Sequence, residues 1–438
     1  MLNLSNVKMK YNPLPSFFYV KNRKSFMEKM NDNSVAIFNS NDIYPISADS
    51  TFKFQQHRDI FYLCGIDQAE TILLLFSDSE DNKLKEILFI KETNPEIKIW
   101  EGEKLSKKEA KELSGIETIY FLESFKKVFL NICSKCSSIY WNTNEHPRAK
   151  NETQTREDRF IFEYKPKFPK HLHEKSNPIL HDLRSIKNKL EVDQIKNACD
   201  ITKKGFVRIL NFVKPNIWEY EIEAEFIHEF VKNKSCGFAY EPIIASGKNN
   251  NVLHYNTNNN ICKSGDMILI DVGAEYGNYS SDMTRTIPVS GKFSSRQKLV
   301  YQSVLNVKNE TEKLLINGNS IKDLNSNVGE IMTEELVKLG LLKMKEIKKQ
   351  NPKAPLYKKY FMHGISHHIG LDTHDYGFIE KKIEPNMVFT IEPGIYIPDE
   401  GFGVRLEDVY LVNKNSLPTN LMKKIPIEIE EIEKIMNI

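Results

Sequence analysis

Asp271 follows four apolar residues, Met267 to Ile270, and Val272 comes directly after it. A carboxylate inside so apolar a strand is expected to be buried. Burying an unpaired charge is costly, and the group either finds a partner or takes up a proton. For Asp271 alone, a salt bridge or a cap would be an equal answer. The pattern recurs, however. Asp282 lies eleven residues on, and Gly273 and Gly277 between the two suit a turn joining two strands. Glu392 ends the apolar run 387–391 and precedes Pro393 and Gly394, and Glu407 sits among apolar residues in 403–409. Four carboxylates thus occupy the ends or interiors of apolar strands. A chain built this way has to bring them together and neutralise them.

Histidines collect in the same half. Of eleven, His363, His367, His368 and His374 fall within twelve residues, and His254 sits in the segment VLHY. A lone strand histidine is ordinarily a satisfied core residue, but a cluster beside buried acids is harder to dismiss. Four carboxylates sharing one site cannot all ionise without compensation, and two divalent cations supply it. Oxygen-rich ligands with one imidazole suit manganese, zinc, cobalt or iron. Two such ions about 3.5–4 Å apart can share a water and lower its pKa. The expected chemistry is metal-assisted hydrolysis.

The rest of the chain sets the frame. Its 438 residues are 40% hydrophobic and 27% charged, enough for a sizeable core. Lys and Arg number 61 against 59 Asp and Glu, a net charge of +2. So even a balance gives no global field for nucleic acid or an anionic membrane. No apolar run approaches the roughly 20 residues that span a bilayer, and the first residues lack the apolar stretch of a secretory signal. A cytoplasmic protein is expected. Six cysteines are too few for a disulfide scaffold. The Cys133–Cys136 pair lacks a second pair for zinc and is read as ordinary thiols.

Two α/β regions are expected. In the first third, strand patterns at 34–38, 71–76, 86–90 and 138–141 alternate with helix patterns at 106–113 and 123–133. A polar, proline-bearing stretch from Pro147 to Pro178 follows, and its His171, His173 and nearby His181 are read as solvated linker residues. The expected boundaries are 1–165 for the first domain, 166–183 for the linker and 184–438 for the second domain. There, helix patterns cover 188–213, 218–232, 295–315 and 321–339. Strands are expected at 242–245, 267–272, 284–289, 387–391 and 404–412.

The order Asp271, Asp282, His367, Glu392, Glu407 resembles the five metal ligands of the pita-bread metallopeptidases, and the chain is similar to the Xaa-Pro aminopeptidases (aminopeptidase P) among them. The segments that carry the likeness are IIASGKNNNVLHY, MILIDVGAEYGNYSSDMTRTIPVSGKF, FMHGISHHIGLDTHD, MVFTIEPGIYIP and GVRLEDVYLV. In the first third, ISADSTFKFQQHRDIFYLCGI and EIKIWEG resemble the N-terminal domain of the same enzymes. The resemblance implies an N-terminal α/β domain followed by a pita-bread domain, a curved antiparallel sheet flanked by helices.

The resemblance also implies roles. Asp271 would bind one metal, Asp282 and Glu407 would bridge two, and His367 and Glu392 would complete the second. Glu392 would shuttle the proton of a hydroxide bridging the ions. His254 and His374 would hold the substrate or stabilise the tetrahedral intermediate. His363 would shape a proline pocket, and Arg405 would orient the carboxylates. Tyr396 and Trp100 would contact substrate, Trp100 from a neighbouring subunit, which implies a homodimer or homotetramer. His368, where relatives often carry an aromatic residue, is read as packing. The implied cofactor is a pair of divalent ions, manganese first, with zinc, cobalt or iron as alternatives. The implied substrates are peptides with proline second. A prolidase acting on Xaa-Pro dipeptides shares ligands and mechanism. A non-catalytic binding module is the reading from another class, and the complete ligand set argues against it.

Overall fold

The structure is a computed structural model that describes residues 9–146, 148, 149, 152–377 and 380–437. Residues 1–8 and Pro147, which enter the expectations above, lie outside these. The chain divides into two compact units, Met1–Leu183 and Arg184–Ile438. Among the described residues no helix is long and apolar enough to cross a membrane.

The first unit is built on a six-stranded mixed sheet. Its strand order is Thr118–Phe121, Glu86–Ile90, Ile72–Phe76, Ser34–Asn39, Ser138–Trp141 and Leu172–Lys175. The central strands, Ser34–Asn39 and Ile72–Phe76, are buried along their whole length. Strands covered on both faces read as continuous apolar runs, which is why they stood out in the sequence. The helix Lys107–Ser114 starts at a capping box between Ser106 and Glu109 and stops at Gly115 in the left-handed region.

The expected linker at 166–183 is corrected. Leu172–Lys175 pairs in parallel with Ser138–Trp141 as the sixth strand, and the helix Asn177–Ser185 follows it. Its histidines are packed, not solvated. The Trp141 indole donates to His173 Nδ1 at 3.0 Å, His171 Nε2 lies 2.8 Å from the Cys133 carbonyl, and His181 is buried. The strand is short, polar and on the sheet edge, so it carries no apolar alternation for a sequence reading to find. Cys133 and Cys136 are free and buried in the same core.

The second unit holds the expected antiparallel sheets and flanking helices. Ile243–Ser246, Met267–Val272 and Met283–Pro288 form one three-stranded sheet. Val388–Ile391 pairs with Asp408–Leu411, and Gly394–Ile397 pairs with Phe402–Arg405. The long helix Lys189–Phe212 is capped by Asn188, which accepts from the Leu190 and Glu191 amides. It buries Val192, Ile195, Cys199, Ile201 and Phe206 on the face given by a 3.6-residue period. Gly205 lets it approach Glu219–Lys232 closely, since a Cβ there would meet the Phe226 ring at 2.7 Å.

The strand expected over 404–412 is two strands. Phe402–Arg405 and Asp408–Leu411 pair with different partners, and the break falls at Leu406 and Glu407. There the Leu406 amide donates to the Pro393 carbonyl and the Glu407 amide to the Thr284 carbonyl. The opposite strand breaks at Glu392 and Pro393, where the Glu392 amide donates to Ile365. Both glutamates therefore sit where the ladder changes partner.

Candidate metal centre

Asp271 belongs to the Met267–Val272 strand and pairs in register with Thr284 on Met283–Pro288. Asp282 lies just before that second strand. Gly277 and Asn278, at φ +58° and +68°, supply the two left-handed residues of a tight hairpin joining Tyr276 to Tyr279. The chain thus returns at once and brings Asp282 beside Asp271. The Tyr240 hydroxyl touches both, 2.6 Å from Asp271 Oδ1 and 2.5 Å from Asp282 Oδ1.

His367 faces the other acids. Its Nε2 lies 3.5 Å from Asp282 Oδ2, 3.7 Å from Glu392 Oε1 and 4.0 Å from Glu407 Oε1. Its Nδ1 is 2.9 Å from the His368 carbonyl. A carbonyl can only accept, so Nδ1 carries a proton, and Nε2, turned toward the acids, is the nitrogen at which a cation would replace a proton. One ligand atom each from Asp282, His367 and Glu407 lies within 4.8 Å of the others.

The surroundings hold these groups in place. Arg405 donates to Asp271 Oδ2 at 2.6 Å and to the Tyr396 hydroxyl at 2.8 Å. Thr284 donates to Glu407 Oε2 at 2.6 Å. The buried Arg285 guanidinium donates to the Glu407 carbonyl at 2.7 Å and to Asp408 Oδ1 at 2.6 Å, fixing the backbone at the strand break.

Electrostatics shows what the cluster lacks. Burial pushes the Glu407 carboxyl well above its ordinary range, and the charges of Asp282, Glu392 and Asp271 add to the effect. Burial likewise raises Asp282, and it raises Glu392 to about 7. Burial works against protonation of His367, yet Asp282 and Glu392 hold it above the usual imidazole range. Without added positive charge the acids must hold protons, and divalent cations would remove that need. The donor set fits such ions: four carboxylates and an imidazole in the ligand tautomer.

The remaining expected residues divide into three groups. His363 and Tyr396 are joined to the cluster. The Tyr396 side chain is fully buried, and its hydroxyl lies 2.8 Å from His363 Nε2. His363 Nδ1 is 2.7 Å from the Gly364 carbonyl and so carries the proton. Burial, reinforced by the Arg405 charge, lowers the His363 pKa to about 3, so this ring is neutral and accepts from Tyr396. His374 and His254 are exposed at the edge. His374 stands edge-on to His367 with ring centroids 4.5 Å apart, and His254 occupies a turn rather than a strand. Trp100 is part of the other unit, 81% exposed on the short helix Pro95–Trp100. His368 packs on Phe389 with ring centroids 4.2 Å apart, as expected of a packing residue.

Sequence reasoning missed Tyr240, Thr284 and Thr390, whose hydroxyl accepts from the His367 amide at 3.2 Å. No spacing marks a tyrosine 31 residues before the aspartate it touches.

The chain is similar to known proteins over nearly its whole length. The profile of metallopeptidase family M24 matches residues 193–414, which include all five ligand candidates, and that of the aminopeptidase P N-terminal domain matches residues 19–140. The Xaa-Pro aminopeptidase of Haemophilus influenzae is 33% identical over 97% of this chain and 98% of its own. The chain belongs to the Xaa-Pro aminopeptidase branch of metallopeptidase family M24.

Two solved structures extend the likeness to the whole fold. Aminopeptidase PepP of Pseudomonas aeruginosa superposes with a TM-score of 0.89 at 29% identity, covering 97% of this chain and 98% of that one. Zinc-substituted aminopeptidase P of Escherichia coli, in complex with product, gives 0.86 at 29% identity over 97% and 99%. Membership of this family implies divalent metal ions at the site.

Proposed function

We propose that this protein releases the N-terminal residue from peptides whose second residue is proline, using two divalent metal ions. The observation that carries this is His367, whose Nε2 faces Asp282, Glu392 and Glu407 while Asp271 is held beside them by Tyr240 and Arg405. The N-terminal domain match favours aminopeptidase P over prolidase.

Asp271, Asp282, His367, Glu392 and Glu407 would hold the ions, with manganese proposed first and zinc, cobalt or iron as alternatives. When bound, such ions polarise a carbonyl and lower the pKa of water. The protein's own groups do the rest. Glu392, whose carboxylate faces His367 in the cluster, takes a proton from the attacking water and gives it to the departing proline nitrogen. That nitrogen belongs to a tertiary amide and has no N–H. Shape rather than a donor must therefore recognise it, and His363 borders the space. His254 and His374 face the substrate carbonyl at the exposed edge. Arg405 orients Asp271, and Tyr396, being buried, acts by holding His363 rather than by touching substrate. A homodimer or homotetramer working in the cytoplasm completes the proposal.

The test is a paired assay of metal-stripped protein reloaded with manganese. The expected result is rapid cleavage of an Xaa-Pro-Xaa tripeptide, abolished by Asp271→Asn. Cleavage of an Xaa-Pro dipeptide alone would move the assignment to prolidase. Cleavage of neither, with metal bound, would remove the proline specificity.

A further inference from the structure

Asp375 follows His374 and turns away from it into a buried ionic cluster that the proposed chemistry does not use. Arg184 donates to Asp375 Oδ1 at 2.6 Å and Lys187 to Oδ2 at 2.7 Å, and all three side chains are 1% exposed. Arg184 also reaches Asp372 Oδ2 at 2.6 Å, and its guanidinium lies 4.3 Å above the Tyr376 ring. Lys187 bonds back to the Arg184 carbonyl at 2.7 Å. Two cations thus meet two carboxylates. Gly370 makes room for the cluster, because a Cβ there would lie 2.2 Å from Asp375 Oδ2 and 2.8 Å from Lys187 Cε.

The backbone of Asp375 ties the cluster to the metal centre. Its amide donates to the His368 carbonyl at 2.9 Å, the same oxygen that accepts from His367 Nδ1. Between these anchors the loop presents His374, whose ring meets that of His367 at 85°. A buried ion pair is weak support for stability, since apolar groups of similar volume often serve as well. What a carboxylate held at both oxygens supplies is a fixed orientation.

We propose that Asp375, gripped by Arg184 and Lys187, is a positioning residue that locks the 367–375 loop and so sets the pose of His374 toward substrate. The substrate part rests on the aminopeptidase reading above; the locking of the loop does not.

Two measurements on the full chain test it. The first is amide exchange by mass spectrometry on metal-free protein. Asp375→Asn is expected to speed exchange across residues 366–376 about tenfold or more. The second is a double-mutant comparison on the tripeptide. Asp375→Asn is expected to lower kcat about tenfold with KM and bound metal unchanged, yet to cost less than about twofold in a His374→Ala background. If Asp375→Asn does not fold, Lys187→Met carries both comparisons. Unchanged exchange, or equal losses in the two backgrounds, overturns the proposal. A wild type inactive on the tripeptide overturns the aminopeptidase reading instead, and the exchange measurement then decides the clamp by itself.

Discussion

Tyr240 has one hydroxyl proton and two carboxylates within reach of it. Only one contact can be a hydrogen bond from the phenol, so the other needs a proton on the carboxyl or positive charge close by. The same shortage of positive charge runs through the cluster and has a measurable consequence. In metal-free protein the folded-state pKa of Glu392 is raised to about 7, and those of Asp282, Glu407 and His367 are also raised. A raised pKa contributes stability that is present in full below the unfolded value and is lost as pH rises through the folded one. For Glu392 alone the shift from 4.5 corresponds to on the order of 3 kcal/mol. The thermal midpoint of chelator-treated protein should therefore fall between pH 5 and pH 8, and Glu392→Gln should flatten much of the slope. Saturating divalent metal should reverse the trend, because binding favours the deprotonated ligands. Calorimetry showing the same midpoint at both pH values in metal-free protein would refute this account.

At the scale of elements, the site depends on two turns and two strand breaks. Gly273 begins the return from Asp271 to Asp282, and a Cβ there would stand 1.7 Å from the Ser281 carbonyl oxygen. That obstacle is backbone, which cannot swing aside as a side chain can. Gly273→Ala should destabilise the protein by more than about 3 kcal/mol, beyond the usual overpacking range, and weaken metal binding. Denaturant titration with metal analysis would check it, and near-wild-type stability would show that the hairpin adapts. The sequence marked this element well. The apolar strand 267–272, the glycines and the second strand all stand out by period and turn chemistry. It marked the Glu407 region less well. The β-forming residues spread over 404–412 read as one strand, because the break is made by bonds to Pro393 and Thr284, which lie on other strands or turns. The polar edge strand Leu172–Lys175 was missed for the related reason that its support is a neighbouring strand rather than its own pattern.

At the scale of the molecule, each unit has its own sheets and core, and the first carries apolar side chains that a monomer gains nothing by exposing. Ile99 and Trp100 are 78% and 81% exposed on one short helix. Large apolar residues set together on a surface mark contact sites. Sedimentation should find the wild type larger than one 50.9 kDa chain. Replacing Ile99 and Trp100 by lysine should shift it toward the monomer and lower tripeptide cleavage. A monomeric wild type would leave Trp100 without the neighbouring-subunit role.

Much that is local can be read along the chain: which stretches are strands and helices, where caps and turns fall, and which acids lie in apolar surroundings. Periodicity and turn preference act over a few residues, so they are written in order along the chain. The four carboxylates were legible for the same reason, each lying in an apolar local context, whereas the choice of His367 among the clustered histidines came from the resemblance to the pita-bread metallopeptidases. How the charge of these groups is managed emerges only when the chain is folded. Tyr240 beside two aspartates, Thr284 on Glu407, and Arg184 on Asp375 across 191 residues all satisfy buried charge by proximity in space. Such pairing has no period, and any polar residue brought near enough can supply it.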